Sequence, residues 1–431
     1  MIYKIDNYVK PYKIFSDMRR NLWLKTSELE TLQWEKFKTL LEHAYRNVPF
    51  YRVLLDSVGI GPKDIKNYDD LYKIPRITKY QVKNNKKDMI ARNTNLKGCV
   101  EYKTSGSTGN TLSGYLIKDD ALYVRGSYER VRNDNGLRML LDKIIILGSP
   151  FIIPDKKEWY QYLGIRRIEG LNVFEPLWIQ LEKLKKAKPD ALWGYPSAIK
   201  LLAKVIQEKR IKEISPRLIF TVAEVLDSET RDFVNRIFNV ELFDVYGAWE
   251  TACMAWECSE HSGYHVNMDV VLMEFVDEDG YRVSSGERGR VVVTNLYSFA
   301  MPIIRYEIGD FAIPTYKECV CGRGGYLLKN IEGRYDDFIR LKENKLIAPP
   351  ILWSIMKSIS GVSEFQIVQE KEDKIVVYVV RVEGFGDTMI VEEIAKEFKK
   401  VFGDNVYVST KFVESIARAK SGKLRSVISK R

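Results

Sequence analysis

Apolar positions recur at helical spacing from residue 15 to 48, where Leu29, Leu32, Trp34, Phe37, Leu40, Leu41 and Ala44 line one face. Pro49 is expected to stop that helix, with a second short one near Val53 to Ser57. Asp64 to Lys73 reads as turn, and Lys79, Lys83, Lys86 and Lys87 as a solvated face. From about 120 to 250 the pattern alternates. Short unbroken apolar runs, at Ile144–Gly148, Ala191–Gly194, Leu218–Val222 and Glu241–Tyr246, are separated by amphipathic stretches such as 198–208 and 228–238. Runs of that kind predict parallel strands buried on both faces. Ligands of such sheets sit at the carboxyl ends of the strands. The runs end in Gly194-Tyr195-Pro196-Ser197, Ala223-Glu224 and Gly247-Ala248-Trp249-Glu250. Residues 270 to 335 change to strands joined by glycine and charged turns, which predicts an antiparallel or barrel-like subdomain. The last hundred residues predict a small α+β domain, with a hairpin at Phe365–Val368 and Ile375–Val382, a helix at Met389–Phe402 and a strand at Val406–Phe412.

Composition narrows the class without naming a reaction. The 431 residues are 45% hydrophobic and 29% charged, an ordinary globular balance with core enough for two or three domains. The net charge of +10 fits a polyanionic ligand. Scattered lysines, with no arginine-rich aromatic patch, argue against nucleic acid. No apolar stretch is long enough to span a membrane, and Met1-Ile2-Tyr3-Lys4-Ile5-Asp6 lacks the apolar core of a signal peptide, so a cytoplasmic protein without a membrane partner is expected. The five cysteines do not make a disulfide scaffold.

Two stretches carry candidate chemistry. The first, Lys103-Thr104-Ser105-Gly106-Ser107-Thr108-Gly109-Asn110, crowds glycines and hydroxyls after the run Val100-Glu101-Tyr102. Its N–H and O–H groups could converge on one anion. On composition alone a surface turn explains it equally well, and it lacks the Gly-Lys-Ser/Thr ending of a P-loop. The second comprises Cys258-Ser259-Glu260-His261 and Cys319-Val320-Cys321. Three thiols and an imidazole predict a closed tetrahedral zinc site of Cys258, His261, Cys319 and Cys321. His265 lies in a strand-like run and is left out of that set, and Cys253 reads as a small buried residue.

Taken in order, Thr104–Gly109, Tyr246-Gly247-Ala248-Trp249-Glu250, Tyr306-Glu307-Ile308-Gly309-Asp310, Gly333-Arg334-Tyr335-Asp336-Asp337 and Ser421-Gly422-Lys423-Leu424-Arg425 resemble the motif series of the adenylate-forming (acyl-activating) superfamily. His43-Ala44-Tyr45, Val48-Pro49-Phe50-Tyr51-Arg52 and Gly194–Ser197 are similar to its phenylacetate–coenzyme A ligase branch, which includes CapK-type proteins of polysaccharide gene clusters. The resemblance implies an α/β enzyme: an N-terminal domain, 1–333, with mainly parallel sheets and the barrel-like part, and a small mobile C-terminal lid, 334–431. It implies that ATP activates a small carboxylic acid as an acyl-adenylate. The acyl group then passes to coenzyme A or, alternatively, to an amino sugar or amino acid. A non-catalytic nucleotide-binding scaffold is the alternative of another class.

The resemblance also assigns roles. Thr104, Ser105, Gly106, Ser107, Thr108 and Gly109 would cradle the β- and γ-phosphates, and Glu250 would hold Mg²⁺. Ala223, Glu224 and Tyr246 would contact the adenine, and Gly247 would belong to the nucleotide site. Asp310 would take the ribose hydroxyls, with Arg334 on the ribose or α-phosphate. Lys423 would bridge carboxylate and α-phosphate, and Asp336 would be the hinge. Trp193, Tyr195 and Pro196 are expected in the acid pocket. A homodimer is expected from the branch. The chain departs from relatives at Asn110, Thr111, Trp249 and Ala417, where a basic residue, proline, threonine and proline are usual.

Overall fold

The first helical pattern resolves into two helices, α1 (Ile2–Asn21) and α2 (Thr26–Asn47), instead of one. The break falls at 22–25, where the Glu28 carboxylate accepts the Lys25 N–H at 2.8 Å and restarts the helix with a capping contact. Pro49 ends α2 and opens α3 (Pro49–Asp56), since a proline at the first helical position forfeits no hydrogen bond. The computed structural model describes residues 2–103, 112–150, 153, 159–162, 164–334, 337–341, 346–403 and 406–430. Helix α4 (Lys79–Asn84) precedes a hairpin of β1 (Val100–Lys103) and β2 (Ser113–Leu116), with Lys103 opposite Ser113. Helix α5 (Lys118–Asp134) follows.

The apolar runs become β3 (Lys143–Gly148), β5 (Ala191–Gly194), β6 (Leu218–Val222) and β7 (Leu242–Ala248), and β4 (Arg167–Asn172) joins them at the edge. Helices α6 (Trp159–Tyr162), α7 (Leu177–Ala187), α8 (Pro196–Glu208) and α9 (Ser228–Phe238) lie between them in sequence. Beyond β7 come β8 (Ala252–Glu257), β9 (Tyr264–Val266), β10 (Val271–Val276), β11 (Gly289–Asn295), β12 (Tyr306–Thr315) and β13 (Leu327–Arg334). All eleven form one sheet, ordered β10-β11-β12-β13-β9-β8-β7-β6-β5-β3-β4. The strands from β4 to β7 are parallel, and β8 turns back antiparallel to β7. The strands beyond residue 250 continue this sheet as its antiparallel part.

Both faces of the parallel part are buried, as unbroken apolar runs require. Ile144, Trp193, Phe220 and Phe243 share one cluster with Val131 of α5. Ile145, Leu192, Ile219 and Leu242 share another with Ile199 and Leu202 of α8 and Val234 and Phe238 of α9.

The chain divides into two compact units, one of Met1–Ile308 with Ala312–Ile331, the other of Gly309–Phe311 with Glu332–Arg431. The second unit contains β14 (Ile339–Arg340), β15 (Leu346–Ile347), α10 (Pro349–Ser358), β16 (Val362–Lys371), β17 (Lys374–Arg381), α11 (Asp387–Phe402), β18 (Tyr407–Phe412) and β19 (Val427–Ser429). Its four-stranded sheet runs β18-β17-β16-β19. Helix α11 buries Ile390, Ile394, Phe398 and Phe402, each four residues after the last, in one core with Ile367, Ile375 and Val377. The basic end of the chain is ordered, because β19 pairs parallel to β16.

Candidate active site

The carboxyl end of β7 is built around a tight reversal. Thr251 N–H donates to Ala248 O at 3.2 Å, and Ala252 begins β8 at φ +61°. At Gly247 a Cβ would stand 2.6 Å from the Tyr128 hydroxyl and 2.7 Å from Ala252 O, so only glycine fits. Glu250 sits in this reversal and is buried; its carbonyl accepts Asn295 Nδ2 at 3.0 Å. Trp249 beside it is exposed. A carboxylate is thus held on a rigid turn at the strand ends.

At the next strand over, Ala223 follows β6 at φ +72°. Left-handed backbone costs an alanine about 1–2 kcal/mol, and such strain tends to collect where function holds it. Glu224 accepts Ser197 N–H at 3.1 Å and the Ser197 hydroxyl at 3.0 Å. That ties Ala223-Glu224 to the first turn of α8, where a negative charge complements the helix dipole.

The three residues expected in the acid pocket do not share one wall. Trp193 packs with Phe220 and Phe243 on the α5 face, whereas Tyr195 is buried with Leu192 among the α8 residues. Pro196 is the buried first residue of α8. The cause is that β5 ends at Gly194, so the pleat that would keep Trp193 and Tyr195 on one side stops between them.

In the second unit, Asp310 is buried and Arg334 Nε lies 3.7 Å from its Oδ1. Gly309 before it has φ +86°, a left-handed turn that suits glycine. Lys423 closes a small turn: its carbonyl accepts Ala419 N–H at 2.9 Å, Gly422 N–H donates to Ala419 O at 2.8 Å, and Arg418 Nη1 donates to Gly422 O at 3.0 Å. Just beyond, Arg425 pairs with Asp337 through Nε at 3.1 Å and a second, shorter contact. Thr104 to Gly109, expected at the phosphates, and Asp336, the expected hinge, lie outside the described residues.

The cysteine constellation is assembled, with a different histidine. Cys258, His265, Cys319 and Cys321 bring their ligand atoms within 4.8 Å of one another. Cys258 Sγ and Cys319 Sγ are 3.8 Å apart, and Cys321 Sγ lies 3.3 Å from His265 Nε2. Burial, with the charge of Arg323, pushes the His265 imidazole down to about 4, which keeps it neutral and able to donate a lone pair at neutral pH. His261, the predicted ligand, is elsewhere. It occupies a turn at φ +46°, stacks on Phe243 at 5.3 Å, and stands 3.6 Å from the carboxylates of both Glu257 and Glu241. The strand-like character of residues 264–266 is what selects His265. In β9, Tyr264 and Val266 belong to one core cluster, so His265 between them faces the other side, with the thiols. That alternation was readable in the sequence. Cys253 is buried and its thiol is pushed up to about 12 by burial.

Residues 339–430 match the model of the CapK C-terminal domain. Over 438 residues the chain is 25% identical to Protein CapK of Staphylococcus aureus, covering 99% of this chain and 94% of that protein. It is 26% identical over 435 residues to a phenylacetate–coenzyme A ligase of Thermus thermophilus, covering 94% of this chain and 97% of that protein. Among solved structures, 2-hydroxyisobutyryl-CoA ligase in its postadenylation state superposes with a TM-score of 0.79 at 20% identity, over 96% of this chain and 92% of that one.

Proposed function

We propose, for a chain whose homologues are CapK and phenylacetate–coenzyme A ligases and whose fold is that of the adenylate-forming CoA ligases, an ATP-dependent acid–thiol ligase. The observation that carries this reading is the buried Glu250 on its strained reversal at the ends of the parallel strands. In the first step a carboxylate oxygen of the acid attacks the α-phosphorus of ATP. The bond from that phosphorus to the bridging oxygen of the β-phosphate breaks, and pyrophosphate leaves. In the second, the thiolate of coenzyme A attacks the acyl carbon and AMP leaves. Neither step needs a protein nucleophile; positioning and charge stabilisation suffice.

Within this reading the loop Thr104–Gly109 is assigned the β- and γ-phosphates, Ala223, Glu224 and Tyr246 the adenine, Gly247 the nucleotide site more broadly, and Asp310 with Arg334 the ribose. Lys423 supplies a point charge to the α-phosphate, and residues 334–431 of the second unit, with Asp336 as hinge, act as a lid. Glu250 offers the oxygen donor that Mg²⁺ prefers; the ion would neutralise phosphate charge there. The cysteine set fits zinc. Sulfurs bound at 2.3 Å in a tetrahedron are about 3.8 Å apart, the separation of Cys258 and Cys319. Cys258, His265, Cys319 and Cys321 would hold the ion, which would serve as a structural staple.

A second reading, which follows from the resemblance to CapK-type proteins of polysaccharide gene clusters, is transfer of the acyl group to an amino sugar or amino acid. ATP–pyrophosphate exchange across a panel of carboxylic acids, followed by coenzyme A or amino-sugar acceptors, tests both. Exchange with at least one acid is expected. ATP binding without exchange on any acid would sink the enzyme reading in favour of a nucleotide-binding scaffold.

A further inference from the structure

Helix α5 carries a buried cation that the adenylation reading leaves unused. The Arg132 side chain is 10% exposed, and its guanidinium lies 4.1 Å from the centroid of the Trp193 ring. Its carboxylate neighbour, Glu129, is 3.5 Å away and also binds Arg166. Among the described residues, two guanidinium groups thus share one carboxylate, and that set carries one positive charge more than it balances. Among the described residues, Arg132 Nε is buried and has no hydrogen-bond partner. Burial, ahead of the opposing pull of Glu129, weakens the hold of Arg132 on its proton, as expected of an under-paired cation. A methionine would cover Trp193 at lower cost, so packing alone does not call for arginine here.

The position of Arg132 points to the same strand ends as Glu250. Helix α5 runs against the parallel strands, since Arg217 at the start of β6 donates to Gly136 O, just past the helix, at 3.0 Å. Long helical side chains lean toward the helix N-terminus, which here is toward the carboxyl ends of the strands. Tyr128, one turn before Arg132, meets Trp193 edge-on at 5.9 Å, and its hydroxyl abuts Gly247. Tyr128 and Arg132 thus form a stripe beneath the reversal that holds Glu250.

We propose that Arg132 is a specificity-determining residue, and that the acid activated here carries a second anionic group, as a dicarboxylate does, seated on the Arg132 guanidinium. The inference rests on the acyl-adenylate reading above. The reacting carboxylate stays at the nucleotide, and the distal one completes the pairing that Glu129 shares with Arg166.

Matched acids test it: butyrate against succinate, valerate against glutarate, and phenylacetate against 4-carboxyphenylacetate. For the wild type, exchange kcat/KM should favour the dicarboxylate of at least one pair by about tenfold or more, as a charge-assisted hydrogen bond allows. Arg132→Met should reverse that preference, with the dicarboxylate losing about a hundredfold and the monoacid far less. Arg132→Lys, which keeps the charge, should retain part of the preference and serves if the methionine variant fails to fold. Preference for the monoacid in every pair, or equal losses for both members of a pair, overturns the proposal. Calorimetric titration of the same dicarboxylates without ATP separates the two claims. Binding that depends on Arg132, without exchange on any acid, keeps the anion seat and sinks the ligase reading. Neither binding nor exchange overturns both.

Discussion

Strand β8 has a different kind of site at each end. At its start, Glu250 sits in a reversal bounded by a strained alanine and an obligatory glycine, next to the exposed Trp249. At its end, Cys258 joins two further thiols and His265 in a closed, largely buried set. Six residues of strand span about 20 Å, so a staple at the cysteine end braces the Glu250 end only through the sheet. On the proposed reading the same antiparallel ribbon carries a reacting carboxylate at one end and a structural metal at the other. The contrast teaches that one ribbon can carry two unlike residue sets at its ends, and the reading proposed above expects them to be energetically separable.

The sharpest way to break that separation is Glu250→Gln. It should cut ATP–pyrophosphate exchange by about a thousandfold, in the range for loss of one preorganised charge contact, while thermal unfolding stays where it was. A drop in melting temperature of the same size as that of a cysteine variant would merge the two ends. Next in size is Lys423→Ala, which tests whether the proposed adenylation draws on a charge from the second unit. Exchange should fall about a hundredfold, and transfer from a supplied acyl-adenylate should be largely kept. Equal loss of both half-reactions would refute the lid assignment.

At the closed end, His265→Ala and Cys321→Ser should each abolish retention of about one zinc per chain and lower the melting temperature by several degrees. His261→Ala should leave the metal in place. Elemental analysis with calorimetry reads both, and metal loss in the His261 variant would restore the spacing-based ligand set.

The smallest effect is one of pH. Asp120 accepts the N–H groups of Ile117, Phe299 and Ala300 at 3.3, 3.2 and 3.5 Å, and burial raises its carboxyl to about 7. The folded state therefore holds this proton more tightly than the unfolded chain, whose value is near 4. The stability gained is present in acid and is lost as pH rises from about 4 to 7. Asp120→Asn should flatten that part of the stability profile, and an unchanged slope would show that another group sets it.

Much of the parallel sheet was legible, because strands buried on both faces read as continuous apolar runs and end in small or polar residues. Strand β4 was not, since Arg167–Asn172 mixes charge with Gly170 at a sheet edge; a Cβ there would meet Ile153 at 2.5 Å. Glu250, Asp310 and Lys423 stand out in the sequence as candidates by residue type and motif order. Tyr128 and Arg132 do not, because on a helix nothing marks which face meets a strand end.

Local patterning alone determined the apolar runs, the caps, the stop at Pro49 and which residue types could bind a phosphate, a metal or a carboxylate. Tertiary structure decided which partners met. It put His265 with the thiols in place of His261, sent Trp193 and Tyr195 to opposite sides of one sheet, and left Glu129 shared between two arginines. Periodicity acts between neighbours in sequence, whereas ligand sets and charge balance depend on distances between strands, which only the packed sheet sets.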